Sequence, residues 1–98
     1  MLPRDLVILF HLFVVKTENR THFHKNDDEW WVVLNGRIKW WIEGEEIIYA
    51  EIGDVIFAPR EKQHKIKTIG DGNSLRLAIS PPDIPHYHPK VDMAPDDF

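Results

Sequence analysis

Three histidines and one glutamate stand at spacings that suit a metal ion. His22 and His24 are separated by one residue, so on an extended chain both imidazoles project to the same side. Glu29 follows across an Asn26-Asp27-Asp28 turn, and His64 opens a later apolar segment just past Pro59. Neutral imidazoles and a carboxylate converging in an apolar interior suit a divalent transition ion: Mn, Fe, Ni, Cu or Zn. A carboxylate buried there alone would cost on the order of several kcal/mol, a penalty that a bound cation removes. The remaining histidines read differently. His11, inside an apolar run, is expected to be a hydrogen-bonded core or interface group. His86 and His88 repeat the spacing, but prolines flank them, which predicts an exposed tail.

The elements that must carry these groups are short and β-like. Leu6 to Val15 is rich in Val, Ile, Leu and Phe and reads as a strand buried on both faces. Further strands are predicted over Glu29–Leu34, Arg37–Ile42, Glu46–Glu51, Val55–Ala58, His64–Ile69 and Leu75–Ser80, separated by Gly-, Asn- and Asp-rich turns. No segment holds a helical apolar period over a dozen residues. Asn35-Gly36 is the favoured dipeptide of a two-residue type I′ hairpin. That register puts Glu29, Trp31, Val33, Ile38, Trp40 and Ile42 on one face, expected to look inward. Trp30, Val32, Leu34, Arg37, Lys39 and Trp41 share the other, which is too apolar to stay wet and predicts cover by a terminal segment or a second subunit. The whole reads as an all-β sandwich or barrel.

Length and composition narrow the function further. Ninety-eight residues make one domain: a core over about residues 6–80 and a Pro-rich tail over 81–98. There is no cysteine, which excludes disulfides, thiolate zinc sites and thiol catalysis. The net charge is −4, with no basic stripe, so nucleic acid is not an expected partner. The apolar run near the N-terminus is too short to cross a bilayer and lacks small residues for leader cleavage. A cytoplasmic homodimer is expected, with no membrane partner.

Thr21-His22-Phe23-His24, four residues, Glu29, six residues and Gly36 resemble the first motif of the cupins. Gly53, five residues, Pro59 and then His64 resemble the second, and the spacer from Arg37 to Ile52 fits small microbial members. The resemblance covers about half the chain, His22 to Thr68. Lys16, Glu61 and Thr68 stand where the family usually has Gly, Gly and Asn, none of them a ligand position. At Glu61 the usual glycine often supplies a positive φ, so the loop before His64 is the part of the pattern put in question.

The resemblance implies a single-domain double-stranded β-helix (jelly roll) with His22, His24, Glu29 and His64 as metal ligands. It also implies a small-molecule substrate and, for the enzyme reading, a dioxygenase-like oxidoreductase chelating an enol, catechol or diketone-like group. Glu29 would be the catalytic carboxylate, able to leave the ion and take a proton, and Trp31, Trp40 and Phe57 would line the pocket. The alternatives are a metal-dependent sugar or keto-acid isomerase and a non-catalytic small-molecule or metal-binding module.

Overall fold

Alternating burial along short extended segments organises this chain into two antiparallel sheets. The computed structural model describes residues 9–15 (as a backbone trace), 20–70, 72–80 and 85–98. Its strands are β1 (Leu9–Val15), β2 (Glu29–Asn35), β3 (Arg37–Ile42), β4 (Ile48–Ala50), β5 (Val55–Ala58), β6 (His64–Ile69) and β7 (Ser74–Ser80). One sheet runs β1-β7-β2-β5 and the other β4-β3-β6. The described residues contain no helix. The first predicted strand is present from Leu9; residues 6–8, Lys16 and the ring of His11 lie outside the described residues.

The strand period of two sets what is inside. On β6 and β7 every second residue is buried, beginning with His64 and Ser74. Trp31, Val33, Ile38, Trp40, Ile42, Ala50, Ile56, Ala58, Ile66 and Ala78 form one apolar cluster between the sheets. The hydroxyls of Thr68 on β6 and Ser74 on β7 lie 2.7 Å apart and link the two sheets where the chain passes between them.

Asn35-Gly36 does not make the predicted hairpin. β2 pairs with β5 and β7, while β3 pairs with β4 and β6, so the chain changes sheet at this corner. A type I′ turn needs positive φ at both central residues. Here Gly36 alone has it, at +73°. The glycine has a second reason to be there: a Cβ on it would come within 2.8 Å of the Asn73 carbonyl oxygen. The inward set is nonetheless as expected, because alternation carries through the corner: Glu29, Trp31, Val33, Ile38, Trp40 and Ile42 are all buried. Trp31 and Trp40 meet across the two sheets, with ring centroids 5.7 Å apart, and not as cross-strand neighbours.

Residues 85–98 are not a loose tail. Phe23 and Tyr87 exchange backbone hydrogen bonds of 2.9 and 3.0 Å. Gln63 donates to the Val91 carbonyl and accepts from the Met93 amide. Phe98 is buried, with the ammonium groups of Lys39 and Lys65 over its ring at 4.6 and 5.9 Å. Lys39 on β3 and Lys65 on β6 lie on the outer face of that sheet, where Trp41 pairs with Lys65. Trp41 is thus buried on a face that this chain's own last residues cover.

Candidate metal centre

Backbone pairing brings the first two histidines to the third. His22 and His64 exchange amide-to-carbonyl hydrogen bonds of 3.1 and 2.8 Å, so the H-x-H segment lies along the start of β6. It pairs on its other side with the segment around Tyr87, and not with β2 as sequence order suggests. Glu29 enters from the opposite sheet as the first residue of β2, beside Ala58 of β5. The turn before it is tied to the loop before His64: Asp28 accepts from the Arg60 amide at 2.9 Å and pairs with its guanidinium. Arg60 also holds the Asp28 carboxyl below its ordinary pKa.

The loop itself is closed by the Glu61 amide, which donates to the His24 carbonyl at 2.6 Å. Glu61 has a φ of +72°, the left-handed conformation that glycine would take without strain. The positive φ expected of a glycine at this position is therefore taken by Glu61 itself.

His22, His24, Glu29 and His64 are all buried, and one donor atom from each lies within 4.8 Å of the others. His64 Nε2 stands 2.9 Å from His22 Nε2 and 3.6 Å from Glu29 Oε1, and His24 Nε2 lies 3.0 Å from the same oxygen. Three imidazole nitrogens and one carboxylate oxygen therefore face a common point. Backbone carbonyls fix two of the rings: His22 Nδ1 donates to Arg20 O at 2.9 Å, and His24 Nδ1 to Pro85 O at 2.7 Å. Holding the proton on Nδ1 turns the Nε2 lone pair toward the cluster, as metal-binding histidines require.

Charge follows burial. Desolvation, with the neighbouring imidazoles adding to it, lowers His64 to a pKa of about 2. Desolvation also outweighs the Arg20 carbonyl at His22 and lowers it to about 4. Both are neutral at pH 7, the form that binds metal. His24 shifts the other way. Burial lowers its pKa, but the Glu29 carboxylate and the Pro85 carbonyl outweigh that and raise it overall. The donor set fits a divalent transition ion.

The pocket residues divide. Trp31 packs edge-on against His64, with centroids 5.3 Å apart, and Trp40 reaches the cluster through Trp31. Phe57 does not join them, which corrects the expectation. Pairing of Glu29 with Ala58 puts Ile56 and Ala58 inward, so Phe57 faces out against Trp30 at 4.4 Å. It borders a separate hollow of about 330 Å³ that includes Ile48, Pro59 and Lys62. His86 is exposed, as its place in a proline-flanked tail predicts, yet its ring lies 4.9 Å from His22 and 4.8 Å from His24. The repeated H-x-H was the signal for that proximity.

A family profile described as "Cupin domain" matches residues 10–81. This chain belongs to the cupin family. Solved structures agree with the fold. A cupin-2 domain protein from Shewanella frigidimarina aligns with a TM-score of 0.69 at 22% identity over 83% of this chain and 74% of its own. KdgF from Halomonas sp. gives 0.65 at 20% identity, over 76% of this cupin and 69% of its own chain. Oxalate decarboxylase from Lactobacillus farciminis gives 0.74 at 20% identity, over 85% of this cupin and 27% of that longer chain. No curated protein matches the sequence. Among the described residues, no helix is long and apolar enough to cross a membrane.

Proposed function

We propose that this cupin binds one divalent transition ion on His22, His24, Glu29 and His64 and acts on a small molecule chelated there, with dioxygenase-like oxidoreductase chemistry. The observation that carries the reading is the convergence of four buried donors within 4.8 Å. The ion, when bound, supplies Lewis acidity and exchangeable positions for an enol, catechol or diketone-like group. The chain's own part is to exclude water and to handle protons. Trp31 walls the site beside His64 with Trp40 supporting it, and Glu29, 3.0 Å from His24 Nε2, is the carboxylate that takes a substrate proton.

The test is elemental analysis of protein made without added metal, followed by oxygen uptake with catechols, flavonols and β-diketones. Uptake lost in His64→Ala supports the proposal. Turnover of a sugar or keto acid without oxygen would make the protein an isomerase, and ligand-dependent stabilisation with no turnover would make it a binding module.

The proposal extends to a cytoplasmic homodimer. Trp30, Leu34, Val55 and Phe57 are apolar and exposed on the outer side of the sheet holding β2 and β5, which favours a subunit contact there. A clean monomer in sedimentation at micromolar concentration would contradict the dimer.

A further inference from the structure

The second H-x-H, His86-Tyr87-His88, has no part in the four-donor cluster, yet the chain runs it directly over that cluster. Both sides of His86 are pinned. The preceding residue, Pro85, accepts the Nδ1 proton of His24 at 2.7 Å. The following residue, Tyr87, exchanges two backbone hydrogen bonds with Phe23, between the two ligand histidines. The Tyr87 ring stacks on Phe23 with centroids 5.7 Å apart, and the Lys25 ammonium lies 4.4 Å from its centre.

Ring spacing shows what His86 can reach. An imidazole bound at a metal–nitrogen distance of ~2.1 Å has its ring centre roughly 3.2 Å from the ion. Two such rings on adjacent coordination positions then stand roughly 4.5–5.2 Å apart, for angles between 90° and the tetrahedral value. His22, His24 and His64 lie 4.2, 5.2 and 5.4 Å apart in pairs. Of these only His22–His24 falls inside that range, with one pair shorter and one longer, and the separations of His86 from His22 and His24, 4.9 and 4.8 Å, lie between those extremes. His88 differs: its Nδ1 meets the Thr21 carbonyl at 3.2 Å and its ring is 6.4 Å from His22, so it anchors the segment.

We infer that His86 is a fifth protein ligand, delivered by the 85–98 segment to the solvent side of the centre and exchangeable with an incoming small molecule. This rests on the metal reading of His22, His24, Glu29 and His64.

The test titrates Co(II) into the wild type, His86→Ala, His88→Ala and His64→Ala, following heat and the visible spectrum. His86 is exposed, so its removal leaves the fold in place, checked by thermal melts without metal. The expected result is a loss of affinity of roughly 10- to 100-fold in His86→Ala with shifted cobalt bands, and less than about a two-fold change in His88→Ala. Millimolar imidazole should restore the wild-type spectrum to His86→Ala, which a merely structural loosening of the segment would not allow. Unchanged affinity and spectrum in His86→Ala, with binding abolished in His64→Ala, overturns the fifth ligand and leaves the four-donor centre standing. Absence of Co(II) binding in the wild type overturns both.

Discussion

At the scale of single residues, the candidate centre is a set of bases kept neutral by burial, and that ties stability to pH. His22 and His64 have folded pKa values of about 4 and 2, below the ordinary 6.5 of the unfolded chain. Below pH 6.5 the unfolded chain therefore binds two protons that the native state refuses. Their contribution to stability is present above pH 6.5 and is lost as pH falls toward 4, by up to about 2.7 kcal/mol per unit. His24, with a raised pKa, acts in the opposite sense and only above pH 6.5, where its contribution fades as it deprotonates. Urea melts of chelator-treated protein at pH 7, 6 and 5 should show a steep fall; a flat profile would mean that these rings are not buried neutral. The four donors were legible in the sequence because residue type and spacing carry most of their chemistry. Whether Phe57 faced the same interior was not, since that depends on the pairing of β5 with β2, and no residue in β5 announces its register.

At the scale of elements, two turns carry backbone conformations that side chains resist. Glu61 takes φ +72° and holds the His24 carbonyl. Replacing it by glycine removes the strain but adds freedom to the unfolded chain, so Glu61→Gly should stabilise the protein by about 0.5–1 kcal/mol net. A thermal melt reads this directly, and a lower Tm would show that the glutamate side chain contributes more than its backbone costs. Gly36 is the converse. Alanine there meets both a positive φ and the Asn73 carbonyl at 2.8 Å, and should cost about 2–4 kcal/mol in denaturant melts. The same glycine misdirects a reading from sequence. Asn-Gly usually signals a hairpin, but here the glycine answers a close approach from a distant turn, which no local pattern records. Alternation, by contrast, is local, so the inward face of β2 and β3 could be read without knowing their partners.

At the scale of the whole molecule, residues 85–98 tie the candidate metal centre to the outer face of the facing sheet. Pro85 holds a ligand histidine, while Phe98 sits on the outer face of the sheet formed by β3, β4 and β6. Burying a phenylalanine contributes about 1.5–3 kcal/mol, so Phe98→Ala should lower stability by about 2–3 kcal/mol and leave Trp41 more exposed. Tryptophan fluorescence shifted to the red in the variant would record that exposure, and an unshifted spectrum would deny the packing. Composition gave no hint of this role, because a Pro-rich stretch with no period has no partner to name until the surface it covers exists.

Residues 85–98 are held by one backbone bridge, Phe23–Tyr87, and by contacts at His24, Gln63 and the buried Phe98, a lighter fastening than the full ladder of β1 with β7. Segments held this way open by themselves, at a smaller free energy than global unfolding. How long an ion dwells in the centre would then be set by how often the whole segment lifts, while the sheets stay closed.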